Sequence, residues 1–294
     1  STPGESLVIQ NSGTLAKLGF SFTGWNTLAN GQGTMIQPGT TVTPQGPLTY
    51  YATWVADTFT VTFDANGGSG SMTAQRFTAG VGQALTSNAN LITRTGFTFA
   101  GWTTNANGTG TTYTNAQSIT LFAGITVYAK WNANTYAVIF GSNTATGPAT
   151  MPNQNFSAGT PFNLNTSLWY KDGHDFAGWS ATAGTQAILY TQNQSVTLYA
   201  NTNIYAQWTA KVFTVTYSSN GGAGSASIAS QNYTFGTSAI TSFATVGTMT
   251  RTGYTFGGWN TLANGTGTAY ANTASVTLFA NTTLYAQWVI VKPG

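Results

Sequence analysis

Apolar and polar residues alternate through Phe59-Thr-Val-Thr-Phe63, the pattern of a half-buried strand. Asp64-Ala-Asn-Gly-Gly68 follows, a tight turn whose glycines tolerate positive φ, and Met72 to Phe77 is suited to return as a second strand. Residues 80–93 are irregular, with room for one helical turn over Gln83–Asn90. Phe97-Thr-Phe99 resumes the alternation and runs into Gly101-Trp102, and Asn105-Ala-Asn-Gly-Thr-Gly110 is another turn. Beyond it Ile119 and Leu121 share a face, as do Val127, Ala129 and Trp131, with Tyr128 and Lys130 opposite. A period of two dominates, so the expected class is mainly β.

The same pattern recurs. Gly-x-x-Phe-x-Gly-Trp ends at Trp25, Trp102, Trp179 and Trp259, and Tyr-Ala-x-Trp ends at Trp54, Trp131, Trp208 and Trp288, always 29 residues later. Successive copies are 77, 77 and 80 residues apart. A fixed period with a fixed internal spacing marks a tandem array. The copies divide as a truncated repeat 1–54, then 55–131, 132–208 and 209–288, with a tail at 289–294. The fourth repeats the second closely: Phe213-Thr-Val-Thr-Tyr217 is its opening strand, Asn220-Gly-Gly222 its turn, and Val276 and Leu278 match Ile119 and Leu121. The third diverges, opening on Tyr136-Ala-Val-Ile-Phe140 and reading Lys171-Asp-Gly-His-Asp175 where its neighbours read Arg94-Thr-Gly96 and Arg251-Thr-Gly253.

In the first copy Phe20 aligns with Phe97, which sets Ser1 opposite Thr78, so a counterpart of the hairpin Phe59–Phe77 is missing. An open sheet edge there would offer unpaired N–H and C=O groups. Val289, Ile290 and Val291 form an apolar segment at the other end of the chain, a candidate donor strand for that edge in another copy.

Phe59–Gly68, Arg94–Trp102 and Val127–Trp131, with Phe213–Gly222, Arg251–Trp259 and Leu284–Trp288, together resemble the Listeria–Bacteroides repeat, the B-repeat of internalin-type surface proteins. The resemblance covers essentially the whole chain. It implies small β-grasp-like repeat domains, a secreted or surface-attached setting, a stalk or adhesive role, and no catalytic residues.

Composition narrows the chemistry. Hydrophobic residues make up 41% of the chain, enough for a core in each repeat, and charged residues only 4%, far below the roughly 25% of ordinary soluble proteins. The eight bases are scattered and give a net charge of +3, so no cluster follows a phosphate backbone and nucleic acid is not an expected partner. Cysteine is absent, which excludes disulfides and thiolate metal sites. No apolar run approaches the roughly 20 residues of a transmembrane helix. His174 with Asp172 and Asp175 is the one gathering of acids and an imidazole, and it reads as a solvated turn, lacking a nucleophile and an oxyanion hole. No catalytic, cofactor or metal site is expected.

The eight motif tryptophans read as core anchors, because each follows an alternating strand at invariant spacing, with sugar-stacking platforms as the competing reading. Trp169 lies outside the pattern and is the better surface candidate. The expected function is a non-enzymatic, extracellular structural protein that assembles with itself head to tail, as a heterologous contact that does not close makes a filament. A surface-adhesin stalk and a carbohydrate-binding array are the alternatives, with host surface proteins or glycans as their partners.

Overall fold

The computed structural model describes residues 4–223, 230–235, 249–272, 274 and 279–292. All regular structure among them is β. The contacts divide the chain into two compact units, Ser1–Thr135 with Ser157–Gly159, and Tyr136–Phe156 with Thr160–Gly294. The first unit contains the first two repeats and the second contains most of the last two.

The second repeat shows the plan. Its five-stranded sheet runs, edge to edge, Thr112–Tyr113, Phe97–Thr103, Ile125–Ala133, Thr58–Asp64 and Gln75–Thr78. The opening strand Thr58–Asp64 and the Tyr-Ala strand Ile125–Ala133 lie side by side and parallel, with Val61, Thr62, Phe63 and Asp64 opposite Ile125, Thr126, Val127 and Tyr128. Every other pairing in this sheet is antiparallel. Both members of the parallel pair present alternate residues to one face, so Val61, Val127 and Ala129 are fully buried beside Phe77, Leu85, Ile92 and Trp102. The fourth repeat has the same order of strands, around the parallel pair Val212–Ser218 and Thr282–Ile290. The third has four strands, its fifth reduced to a bridge between Trp179 and Tyr190.

Three local expectations are corrected. No helical turn forms at Gln83–Asn90: Gly82–Ala84 pairs with Ser118–Thr120, and the buried Asn88 side chain bridges to the main chain of Ile92. The return strand begins at Gln75, not Met72, because Ser69-Gly70 is drawn away to pair with Ile92 and Thr93. Trp169 is a core residue of the third repeat, 6.4 Å from Trp179, and its indole N–H donates to the Pro148 carbonyl. Trp169 stands 77 residues after Ile92 and 80 before Met249, both buried, so it fills a core position common to these repeats. The expected match of Val276 and Leu278 lies outside the described residues.

The Gly-Trp motif is explained by a bulge. The register between the Gly-Trp and Tyr-Ala strands shifts between Phe99 and Gly101, and likewise between Phe22 and Gly24, Phe176 and Gly178, and Phe256 and Gly258. Residues three apart on a regular strand face opposite ways, and the extra bulge residue restores one face to both. Phe99 and Trp102 therefore meet edge to face at 5.0 Å. Gly101 has φ 113°, and a Cβ there would lie 2.4 Å from the Tyr113 carbonyl oxygen, so no side chain fits.

Removing a fully buried indole leaves a large cavity. Trp102→Ala should cost about 3–5 kcal/mol of the second repeat's stability in denaturant titration, and Trp25→Ala clearly less, because Trp25 is only half-buried. A loss under about 1 kcal/mol for Trp102→Ala would show that burial is not what fixes this residue.

Candidate functional site

The repeated pieces of this chain converge on the seams between repeats. Each Tyr-Ala strand runs through one residue into the next opening strand. Asp57 links Tyr51–Ala56 to Thr58–Asp64, and Lys211 links Thr202–Ala210 to Val212–Ser218. Both main-chain groups of the linking residue are used. The Asp57 N–H donates to the Gly19 carbonyl, and its own carbonyl accepts from the Ala79 N–H, each at 2.9 Å. Asn134 does the same with Gly96 and Ala158, and Lys211 with Gly173 and Phe235. The linking peptide thus docks on a turn of the repeat before it and is gripped by a turn of the repeat after it.

Side chains vary at this seam while the backbone does not. Asp57 accepts from the Ser21 hydroxyl at 2.6 Å, Asn134 from the Thr98 hydroxyl at 2.6 Å, and Lys211 pairs with Asp175 at 3.4 Å. Both members of that ion pair are largely exposed, so its contribution falls near the 0–1 kcal/mol of surface pairs. In the first unit Phe20 and Phe122 close around Gly80, and in the second Phe235 lies against both His174 and Phe279. His174 opens the Gly-Trp strand of its repeat, with Nδ1 2.8 Å from the Asp172 carbonyl oxygen. Among the described residues no group of three His, Cys, Asp or Glu side chains could hold a metal ion, and no helix is long and apolar enough to cross a membrane.

The eight motif tryptophans fall into two sets. Trp102, Trp179 and Trp259 are fully buried, and their indole N–H groups have no hydrogen-bond acceptor. Trp54, Trp131, Trp208 and Trp288 are half-buried, as is Trp25. In this second set Trp131 donates to the Ala65 carbonyl, Trp208 to that of Ser142 and Trp288 to that of Ser219, so each holds the turn after its opening strand. That turn is also held by an asparagine the sequence reading passed over. Asn66 has φ 47°, and its amide donates to the carbonyls of Ala106 and Ala129. Asn220 repeats this with Ala263 and Ala286, and Asn143 bonds Ala206. In the second and fourth repeats the sequence signal is Asn-Gly, a dipeptide that by itself specifies only a turn.

In the first repeat no parallel strand pairs with the Tyr-Ala strand among the described residues, and that strand is short. It covers Tyr51–Ala56, six residues, against nine for Ile125–Ala133, Thr202–Ala210 and Thr282–Ile290. The absent portion matches the residues that pair with an opening strand elsewhere. Leu48, in the place of Ile125, is 54% exposed, and no buried hydrophobic cluster forms around the strands of this repeat among the described residues.

Val289, Ile290 and Val291, expected as a candidate donor strand for another copy, are engaged within the fourth repeat. Val289 and Ile290 pair with Thr255 and Tyr254, and the Val291 N–H donates to the Gly253 carbonyl. Val291 occupies the linking position held elsewhere by Asp57, Asn134 and Lys211. The apolar pattern looked available because its partners Thr255 and Tyr254 lie 34 and 36 residues upstream in sequence.

The profile of the Listeria-Bacteroides repeat domain matches residues 4–53, 59–130, 136–207 and 213–287. Among curated proteins the chain is similar to one described as a Gly-rich membrane protein of Evansella cellulosilytica, 28% identical over 229 residues, covering 74% of this chain and 26% of the relative. A second protein of that organism, described as a membrane protein, is 28% identical over 246 residues, covering 82% of this chain and 34% of the relative. Internalin H of Listeria monocytogenes is 32% identical over 133 residues, covering 45% of this chain and 23% of the relative. The chain thus spans about a quarter to a third of the length of these relatives.

The seam geometry predicts which changes loosen it. Gly19 has φ 78°, and a Cβ there would lie 3.0 Å from the Ala79 Cβ. Gly19→Ala should cost about 1–2 kcal/mol and raise amide exchange at Asp57 and Ala79 by roughly 5–30-fold. Lys211→Ala should change stability by less than about 1 kcal/mol, because the Lys211 main-chain bonds remain.

Proposed function

Since this chain belongs to the Listeria-Bacteroides repeat domain family, with four copies along it, we propose that it is a non-enzymatic structural array of an extracellular bacterial surface protein, built to carry tension. The observation that supports this is the parallel pairing of opening and Tyr-Ala strands inside each full repeat. Force enters a repeat at the start of its opening strand and leaves at the end of its Tyr-Ala strand. The two strands point the same way, so pulling slides one along the other. All four registered pairs of the ladder then resist together, where an antiparallel hairpin pulled from its open end yields one pair at a time. The hydrogen-bonded linking residue passes the load directly to the next repeat. A stalk that holds another part of a protein away from a cell has this mechanical need.

A second reading, self-assembly into a filament by strand complementation, draws on Leu48–Tyr51 of the first repeat, which pairs with no parallel strand among the described residues. Leu48–Tyr51 corresponds to the stretch that elsewhere receives a parallel strand, so in this reading a second copy donates a strand of the opening type, such as Thr58–Asp64. Val289–Val291 cannot be that donor without leaving the sheet of the fourth repeat.

Pulling single molecules from their ends tests the first reading. Each full repeat should give a separate force peak and release about 77 residues, roughly 250 Å of contour. Featureless extension at low force would sink it. Electron microscopy of the purified chain decides the second, with filaments supporting it and persistent monomers counting against it.

A further inference from the structure

Four of the eight basic residues, which look scattered in the sequence, recur in register. Lys17, Arg94, Lys171 and Arg251 each stand eight residues before a Gly-Trp tryptophan. Three of them lie over an aromatic ring three residues on: Lys17 over Phe20 at 4.1 Å, Arg94 over Phe97 at 4.2 Å and Arg251 over Tyr254 at 4.2 Å. Stacking restrains these long side chains before any ligand arrives. No acid recurs with them, and the ion pair between Lys211 and Asp175 involves none of the four.

In the second repeat this cation borders a hollow. An open depression of about 310 Å³ is lined by Arg94, Lys130, Trp131, Asn66 and Asn107, together with small residues of the adjoining strand and turn. A second depression of about 250 Å³ lies against the same Arg94 and Trp131 on the Phe97 side. No carboxylate lines either one. The larger hollow therefore lies between the two faces of its strand, Lys130 bordering it from one and Trp131 from the other, with Arg94 and two side-chain amides, and among the described residues neither cation has an ion-pair partner. Its size is at the lower end of small-ligand pockets. A guanidinium and an ammonium suit an oxyanion, amides suit hydroxyl groups, and an indole surface suits the C–H face of a pyranose ring.

We propose that the hollow at Arg94, Lys130 and Trp131 is a binding site for an anionic sugar unit, a pyranose bearing a carboxylate or a phosphate, presented by a polysaccharide. Arg94 grips the oxyanion, Lys130 supplies the second charge, Trp131 packs against the ring, and Asn66 and Asn107 flank it. Asn66 already spends its amide hydrogens on Ala106 and Ala129, so its free group is the carbonyl oxygen, which accepts from a sugar hydroxyl. In the fourth repeat Arg251, Trp288 and Asn220 recur, but Gln287 stands in the place of Lys130, so that copy binds more weakly. This inference does not depend on the tension-bearing reading.

Calorimetric titration of the whole chain with a galacturonate oligomer, a mannose-phosphate oligomer and neutral dextran tests it, and the first two arms identify which oxyanion is preferred. At least one anionic oligomer should bind, dextran should not, and raising salt from about 0.02 to 0.2 M should weaken binding at least about fivefold. Lys130→Gln should weaken it about fivefold and Arg94→Gln about tenfold or more, whereas Arg76→Gln, which removes the same charge from the return strand, should leave it within about twofold. Lys130 is exposed, so its variant tests the site even where Arg94→Gln disturbs the turn. Absence of binding by both anionic oligomers, or an equal loss in Arg76→Gln and Lys130→Gln, overturns the proposal.

Discussion

The parallel ladder between an opening strand and a Tyr-Ala strand is what closes a repeat. Where Val61–Asp64 meets Ile125–Tyr128, Val61 and Val127 lose all contact with water and the sheet reaches five strands. In the first repeat, where no parallel strand is paired among the described residues, the same motifs give a three-stranded sheet, a shorter Tyr-Ala strand and an exposed Leu48. The Gly-Trp bulge forms there all the same, with Phe22 edge to face on Trp25 at 5.4 Å. The bulge is thus a local property of its strand pair, and the core is a property of the parallel pairing. Burial of apolar area is the dominant favourable term in folding, so the two levels are energetically unequal.

This separation explains what was legible in the sequence. Alternation located the opening, Gly-Trp and Tyr-Ala strands, and the fixed spacing located the array, because both are local or periodic properties of the chain. Burial depth was less legible. Trp102 and Trp131 carry equally regular motifs, yet one is sealed and the other half-open, since the second lies where the sheet meets the turn at Ala65. Trp169 looked like a surface residue because its counterparts Ile92 and Met249 are not aromatic, so the shared core position carries no motif. Val289–Val291 looked unattached because strand pairing across 34 to 36 residues leaves no mark in the segment itself. The asparagine clamps at Asn66, Asn143 and Asn220 were visible as letters, but their acceptors are main-chain carbonyls, which every residue has.

With so few charges, the fold relies on neutral polar pairs. Thr62 and Thr126 share a hydrogen bond across the parallel strands at 2.7 Å, and Thr216 and Thr283 do so at 2.9 Å in the fourth repeat. Each such bond contributes roughly 0.5–1.5 kcal/mol net, with little dependence on ionic strength. A member of the Listeria-Bacteroides repeat family built this way keeps its sheet through changes of salt that would weaken a surface held by ion pairs. With so few acids, the recurring cations at Lys17, Arg94 and Arg251 have no ion-pair partner among the described residues.

The seams connect through atoms common to all amino acids except, on the donor side, proline. Asp57, Asn134, Lys211 and Val291 differ in charge, size and polarity, yet each main-chain N–H reaches the carbonyl of the glycine that opens the preceding Gly-Trp motif. A joint of that kind is indifferent to its passenger side chain. Unequal recombination between neighbouring gene segments can therefore lengthen or shorten such a chain by whole modules, and the new boundary fits without compensating mutations.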